Sequence, residues 1–316
     1  MGFSVNGKTA IITGAGSGIN LEFARLLLQN DANVVFADIA LRLEAKELVD
    51  EYSSDKDKPQ AIFQQTDVTD WKQLDQMFQV AMKYFGTIDI VCPGAGVYEP
   101  HWSGFWYPPG SAESKDAVDG GRYAQLDINL THPIRSTQLA ISYFIEQRKK
   151  TPSQLKFIIH ISSIAGQSAG FGTAIYVATK HAINGFVRSL APLEQEYGIR
   201  VAAVAPGVIR TPLWTDHPEK LKFVTERDEW VLPEEVGAVM LALIEKDQMA
   251  EFEGEPETIE ITGGTILEVS KKAVRDVKPF NDPGPRQGPG NTAAGYKATV
   301  YEDIQKQLSK PGWGKT

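Results

Sequence analysis

The chain has 316 residues, 42% of them hydrophobic and 23% charged, with a formal net charge of −8. That length can bury the core of one large α/β domain or two small ones, while an acidic balance without clustered Lys and Arg excludes a phosphate-neutralising nucleic-acid binder. The single cysteine, Cys92, excludes an internal disulfide and fits a reducing compartment.

In chain order, "TAIIT" (9–13) reads as an apolar strand that runs into the glycine turn "GAGSG". "INLEFARLLLQND" follows with helical apolar spacing at Ile19, Phe23, Leu26 and Leu27. "NVVFAD" is a second short strand ending at Asp38, residues 39–54 form a helix charged on one face, and "AIFQQTDV" is a third strand. "WKQLDQMFQVAMKYFG" is a helix stopped by Gly86, and "DIVCPGAG" is a fourth strand. There follow a helix over 123–148, the strand "KFIIHISS", a helix over 174–197, the strand "RVAAVAPG", a helix over 233–246 and the strand "ETIEITGG". Pro192 falls inside the helix over 174–197 and removes a hydrogen bond there or kinks it. Two segments break the rhythm, 97–122 and 211–232, and both are rich in aromatic residues.

Strands alternate with helices, and the strands are continuous apolar runs. This is the pattern of a parallel sheet covered on both faces: an α/β, doubly wound Rossmann fold of about seven strands. Residues 1–269 carry the pattern and read as one nucleotide-binding domain. Residues 270–316 read as a Pro/Gly-rich C-terminal extension that wraps the core, reaches a neighbouring subunit or stays mobile.

"TGAGSGI" lies between a strand and a helix, the setting a dinucleotide loop needs. Its glycines, Gly14 and Gly18 among them, let the backbone turn tightly and approach a pyrophosphate. The helix beginning near Ile19 offers amide donors and the positive end of its dipole. Outside that setting the same letters are a plain glycine turn. Asp38 ends the second strand 24 residues after Gly14. A carboxylate there accepts hydrogen bonds from ribose hydroxyls and repels a 2′-phosphate, which favours NAD over NADP; a helix cap or a solvated aspartate is the alternative. The nearest cation in sequence is Arg42. Asp67 ends the third strand, where it can accept from an adenine amino group. Alternatively, Asp67 or Thr69 caps the helix near Trp71.

Tyr176 and Lys180, four residues apart, share one helix face. Alone, such a pair is ordinary helix surface, just as Ser163 alone is a strand-end hydroxyl and Asn129 alone a cap or turn residue. Together the pieces "TGAGSGI", "DVTD", "IN", "ISS", "YVATK" and "APGVIRTP" resemble the short-chain dehydrogenase/reductase family, in family order and spacing, over residues 7 to about 268. "CPGAGVYEP" and "LDINLTHPIR" resemble its branch of fungal enzymes related to 15-hydroxyprostaglandin dehydrogenase.

The resemblance implies an oxidoreductase that transfers a hydride between NAD and a secondary alcohol or ketone. It implies that Tyr176 exchanges a proton with the substrate oxygen and that Lys180 lowers the Tyr176 pKa by favouring phenolate and binds the nicotinamide ribose. Ser163 then holds the substrate oxygen, and Asn129 fixes a water that links Lys180 to solvent. Gly14, Ser17, Gly18 and Ile19 form the phosphate loop, with Asp38, Asp67, Val68, Gly94 and Ala95 around the adenosine. Pro206, Gly207, Ile209 and Thr211 hold the carboxamide. A homodimer or homotetramer built on the helices near 123–148 and 174–197 is also implied.

Two positions depart from the family pattern. Asn20 replaces the loop's third glycine, so its side chain must turn away or widen the loop. Gly94 replaces the second asparagine of "NNAG", so that side chain's hydrogen bonds to neighbouring strands are absent. These departures are the support for a non-catalytic NAD-binding protein on the same fold; the intact Ser–Tyr–Lys set speaks against it. Asp38 speaks against the other alternative, an NADP-dependent ketoreductase of secondary metabolism.

The five histidines show no ligand spacing, so no metal site is expected. Cys92 reads as a small buried residue. Both insertions reach the sheet edge where a substrate would lie, carrying His101, Trp102, Phe105, Trp106, Tyr107, Trp214, Phe223 and Trp230. At least half of these serve as loop anchors. An apolar or aromatic small-molecule substrate is expected, with Thr173, one turn before Tyr176, facing it. No apolar run approaches the roughly 20 residues that span a bilayer, and no basic-then-apolar leader opens the chain, so neither membrane nor secretion is expected and the location is cytoplasmic.

Overall fold

A strand covered by helices on both faces is buried at every position and largely apolar, and β1 (Thr9–Thr13) fits: its three central residues are apolar and all five are buried. β2 (Asn33–Asp38) and β4 (Ile90–Pro93) flank it in parallel register. The computed structural model describes residues 3–53, 59–151, 154–217, 221, 229–250, 258–271, 273–279 and 296–313. Its main sheet continues through β3 (Ala61–Gln65) beside β2 on one flank. On the other, β5 (Lys156–Ile161) and β6 (Ile199–Pro206) follow β4.

The seventh parallel strand differs from the expected one. The run "ETIEITGG" supplies only β8 (Thr258–Glu260), paired antiparallel with β7 (Gln248–Ala250) in a separate hairpin. Its alternation leaves Ile259 buried between exposed neighbours, a pattern for a strand with one covered face. The sheet takes β9 (Ile266–Ser270) instead, parallel to β6, and ends in an antiparallel edge strand, β10 (Ala273–Asp276). The order is β3-β2-β1-β4-β5-β6-β9-β10. It is a doubly wound Rossmann-type sheet, and the reversal of direction between β1 and β4 is where such sheets open a ligand crevice.

Helices cover both faces. α1 (Gly18–Gln29), α2 (Leu43–Ser53) and α9 (Pro233–Glu245) bury their apolar stripes on one side, Phe23, Leu27, Met240 and Leu243 among them. α3 (Trp71–Phe85), α5 (His132–Arg148) and α6 (Ala174–Ser189) cover the other, with Phe78, Leu139, Phe144 and Ile183. α3 ends at Gly86, which is left-handed as the sequence suggested. Its start is capped by Asp70, whose Oδ1 accepts from the amides of Lys72 and Gln73, and not by Asp67 or Thr69.

Two long helices are interrupted. The segment expected over 123–148 is a short α4 (Ala124–Leu126), a π turn over Asp127–Thr131, and then α5. The one expected over 174–197 breaks after Ser189, and Pro192 opens a new helix, α7 (Pro192–Tyr197), at the position where a missing N–H costs nothing. α8 (Pro212–Thr215) lies in the second insertion, and α10 (Tyr296–Leu308) in the C-terminal segment, where Leu308 is buried against the second core layer.

At the end of the sheet opposite the crevice, the buried Lys156 Nζ lies 2.6 Å from Asp89 Oδ1, and Asp89 Oδ2 accepts the Thr9 amide at 3.0 Å. This ties β1, β4 and β5 together. Removing one partner would leave an uncompensated buried charge, at a cost of about 3–5 kcal/mol.

Candidate active site

The carboxyl ends of β1 to β6 open into a cavity of about 820 Å³ that brings together Gly14, Ser17, Gly18, Ile19, Asp38, Asp67, Val68, Gly94, Ala95, Ser163, Tyr176, Lys180, Pro206, Gly207, Ile209 and Thr211. Asn129 stands just behind this lining, buried. A second, open cleft of about 760 Å³, between Arg188 and residues 258–265, contains none of them.

One end of the cavity is built for a phosphate-bearing group. Gly14 and Gly18 have φ of +72° and +61°, values that glycine adopts without strain. A Cβ on Gly14 would stand 2.8 Å from the Ala95 Cα, so the loop is closed to any larger residue. Ser17, at the N-cap of α1, makes no side-chain cap bond, which leaves the first amides of the helix open to an anion. Asp38 Oδ2 accepts the Gly16 amide at 2.8 Å, so the carboxylate braces the loop as it faces the cavity. Burial pushes its pKa up, and bonds from the Gly16, Ala40 and Ile39 amides pull it down. Asp67 Oδ1 accepts from the Thr69 amide and hydroxyl, at 2.9 and 2.8 Å, and the Asp67 amide is held by Gln73 Oε1. Glycine cradle, open helix amides and strand-end carboxylates together fit a dinucleotide.

The two departures from the family pattern meet in space. Asn20 points inward, toward the end of β4. It is buried, with its side-chain amide lying over Gly94, where a Cβ on residue 94 would stand 2.8 Å from Asn20 Nδ2. The Cys92 thiol points at Asn20 Oδ1 from 3.8 Å. An amide absent from the end of β4 is thus matched by one entering from α1. Cys92 is fully buried, and burial pushes its thiol pKa up, away from reactivity.

At the other end stand the side chains suited to proton transfer. Ser163 stands two residues beyond β5, where its Oγ accepts the Ala165 amide at 3.2 Å, donates to the Pro206 carbonyl at 3.5 Å, and lies close enough to the Tyr176 phenol to lower its pKa. Lys180 Nζ donates to the Ile161 carbonyl at 2.8 Å and lies 5.3 Å from the centre of the Tyr176 ring. The expected fall in the Tyr176 pKa is reversed. The ring keeps some surface open to the cavity, but desolvation pushes the phenol up to about 12; the bond from Ser163 opposes this and the neighbouring Tyr98 adds to it. Burial likewise depresses Lys180 to about 8. Desolvation opposes the charged form of each group.

Asn129, in the π turn, commits its side chain to backbone: Oδ1 accepts the Val97 amide at 2.9 Å and Nδ2 donates to the Val97 carbonyl at 2.8 Å. These two bonds clamp the start of the first insertion. Trp102 and Trp214 line the cavity; His101 packs on Tyr107, and Trp106 on Phe105 and Phe171, as anchors. Phe223 lies outside the described residues. Thr173 does face the cavity, with its hydroxyl bonded to Tyr98. Sequence reading passed over Tyr98 and Glu99. The Tyr98 ring stands 4.7 Å from that of Tyr176 and 5.3 Å from that of Trp214, and the Glu99 carboxylate accepts the Tyr176 amide at 2.7 Å. Their only signal was their place inside an aromatic insertion.

Comparison with known proteins agrees with this geometry. The family model for short chain dehydrogenases matches residues 8–222. The NAD-linked 15-hydroxyprostaglandin dehydrogenases of Rattus norvegicus and Homo sapiens are each 34% identical over 215 residues, covering 66% of this chain and 71% of theirs. The L-fucose dehydrogenase of Bos taurus is 29% identical over 216 residues, or 68% of this chain and 71% of its own. In fold, the chain is similar to a 3-ketoacyl-(acyl-carrier-protein) reductase of Brucella melitensis crystallised with NADH. The TM-score is 0.64 at 22% identity, covering 84% of this chain and 98% of that one. With its sheet order, its glycine cradle and this extent of similarity, the chain belongs to the short-chain dehydrogenase family and is an NAD(P)-dependent oxidoreductase of alcohols and ketones.

Proposed function

We propose that the protein interconverts a secondary alcohol and a ketone bearing apolar or aromatic substituents, with NAD as the hydride partner and Tyr176 as acid and base. The observation that carries this reading is that one cavity gathers Ser163, Tyr176 and Lys180, with Ser163 close enough to the phenol to lower its pKa and Lys180 Nζ 5.3 Å from the centre of its ring. A carbonyl oxygen bound between the two hydroxyls would accept a hydrogen bond from Ser163 and a proton from Tyr176; in the reverse direction the phenolate takes the proton back. Lys180, one helical turn on, favours the phenolate by its charge and offers an ammonium donor to a ribose hydroxyl. Bound NAD supplies the hydride chemistry. Gly14, Ser17, Gly18 and Ile19 hold the pyrophosphate, Asp67, Val68, Gly94 and Ala95 surround the adenine end, and Pro206, Gly207, Ile209 and Thr211 fix the carboxamide.

Asp38 supports NAD over NADP: its carboxylate lies at the end of β2 with no cation bonded to it among the described residues, where it would repel a 2′-phosphate. Trp102, Trp214, Tyr98 and Val97 support an apolar substrate face.

Tyr176→Phe is expected to lower turnover at least about 1,000-fold while NAD binding, followed by titration, stays within about twofold. The assay is NADH absorbance on a panel of aromatic secondary alcohols and their ketones. Near-full activity in the variant would remove Tyr176 from the chemistry.

A further inference from the structure

Glu99 is one of two non-glycine residues among those described with a positive φ, +32°. A residue with a side chain holds such a conformation only where its surroundings impose it. Here the surroundings are three donors. Glu99 Oε2 accepts the Tyr176 amide at 2.7 Å and the Gln125 side-chain amide at 3.2 Å, and Oε1 accepts the Phe105 amide at 3.1 Å.

Tyr176 is the third residue of α6, and its amide is among those a helix cannot satisfy internally. The usual source of a cap is the residue just before the helix. Thr173 holds that position yet makes no cap bond. Its hydroxyl goes to Tyr98, whose ring packs edge-on against Tyr176. The cap comes instead from 77 residues upstream, as a carboxylate beside the positive end of the helix dipole. The same carboxylate holds the Phe105 amide in the first insertion, whose neighbours Trp102 and Tyr98 line the cavity. Glu99 itself does not line the cavity.

We infer that Glu99 is a positioning residue: its carboxylate fastens the aromatic insertion to the backbone of Tyr176, so that seating the insertion and aiming the phenol at Ser163 are one event. The inference rests on the proposed role of Tyr176, but the physical link between the two segments is testable without it.

The test uses the purified full-length protein and two variants. Glu99→Ala removes every acceptor. Glu99→Gln keeps one carbonyl oxygen and turns an N–H toward the other donors. Amide hydrogen exchange is followed by peptide, and steady-state rates are measured with acetophenone and NADH. In Glu99→Ala, exchange is expected to rise about tenfold in both 97–107 and 174–180, with other peptides unchanged. The kcat should fall at least about tenfold with the KM for NADH within about twofold, and Glu99→Gln should lie between. Faster exchange in the insertion alone, or an unchanged kcat beside an active wild type, would make Glu99 a loop anchor and overturn the inference. So would a uniform rise across all peptides in both variants. If the wild type were inert toward acetophenone and the wider ketone panel, the functional reading would fail. The exchange data would still decide: a joint rise in the two segments upholds the link, and a rise in only one refutes it.

Discussion

Tyr176 and Lys180 are displaced in opposite directions from their ordinary values, the phenol up to about 12 and the ammonium down to about 8. At neutral pH the phenol is therefore protonated and the ammonium charged. That state is ready to give a proton to a carbonyl oxygen. Alcohol oxidation needs the phenolate, whose share grows tenfold per pH unit below the phenol pKa. Lys180 loses its charge above about pH 8, and the attraction that favours phenolate goes with it. The expected result is a pair of opposed profiles. The kcat/KM for alcohol oxidation climbs with pH and then climbs less steeply above about 8, while that for ketone reduction is level up to about 8 and falls beyond it. Two profiles flat from about pH 6 to 10 would separate these groups from the rate-limiting proton transfer. Nearby His132 does not join this titration. It is buried, bonded to Thr13 and the Ile128 carbonyl, and depressed to about 4, so it stays neutral throughout.

Between elements, the contact of α1 with the end of β4 makes Asn20 and Gly94 a mutually dependent pair. Gly94→Asn alone drives a side chain into Asn20. Asn20→Gly alone opens a void beside Cys92 and places a glycine inside a helix, at about 1–3 kcal/mol in all. Making both changes together should return much of the loss, with a coupling of about 1–2 kcal/mol in urea unfolding and a parallel recovery of NAD affinity. Simple additivity would show that the two positions are independent. This contact marks the limit of what could be read from sequence. The apolar runs of β1, β2, β5 and β6, the glycine stop of α3 and the loop before α1 were legible because their causes are local: covered strands are largely apolar, and left-handed turns favour glycine. The Asn20–Gly94 contact, the Glu99 cap and the Asn129 clamp join residues 74, 77 and 32 positions apart, and no periodicity encodes them. β8 misled because alternation and β-branched residues signal a strand without saying which sheet receives it.

For the molecule as a whole, the sheet order sets both the site and its closure. The reversal at β1 and β4 opens the crevice. The ion pair of Arg42, in the turn before α2, with Asp216, just after α8, then joins its two sides from segments 174 residues apart. The far border of the sheet has a different task. β10 pairs with β9 from inside the segment that composition had set aside as an extension, and Arg275 on it pairs with Glu268 of β9. Beneath that short, charged strand lies an apolar one, with Ile266, Leu267 and Val269 buried. A chain cut at residue 270 would present β9 as an open row of unpaired amides and carbonyls, a template for another molecule's strand. Such a truncation is expected to cost solubility before it costs activity: light scattering should report growing aggregates at concentrations where the full chain stays dispersed. A cut chain that remained dispersed would mean that the edge is guarded elsewhere. On this view β10 is a guard against self-association, and the boundary of the folded unit lies beyond it.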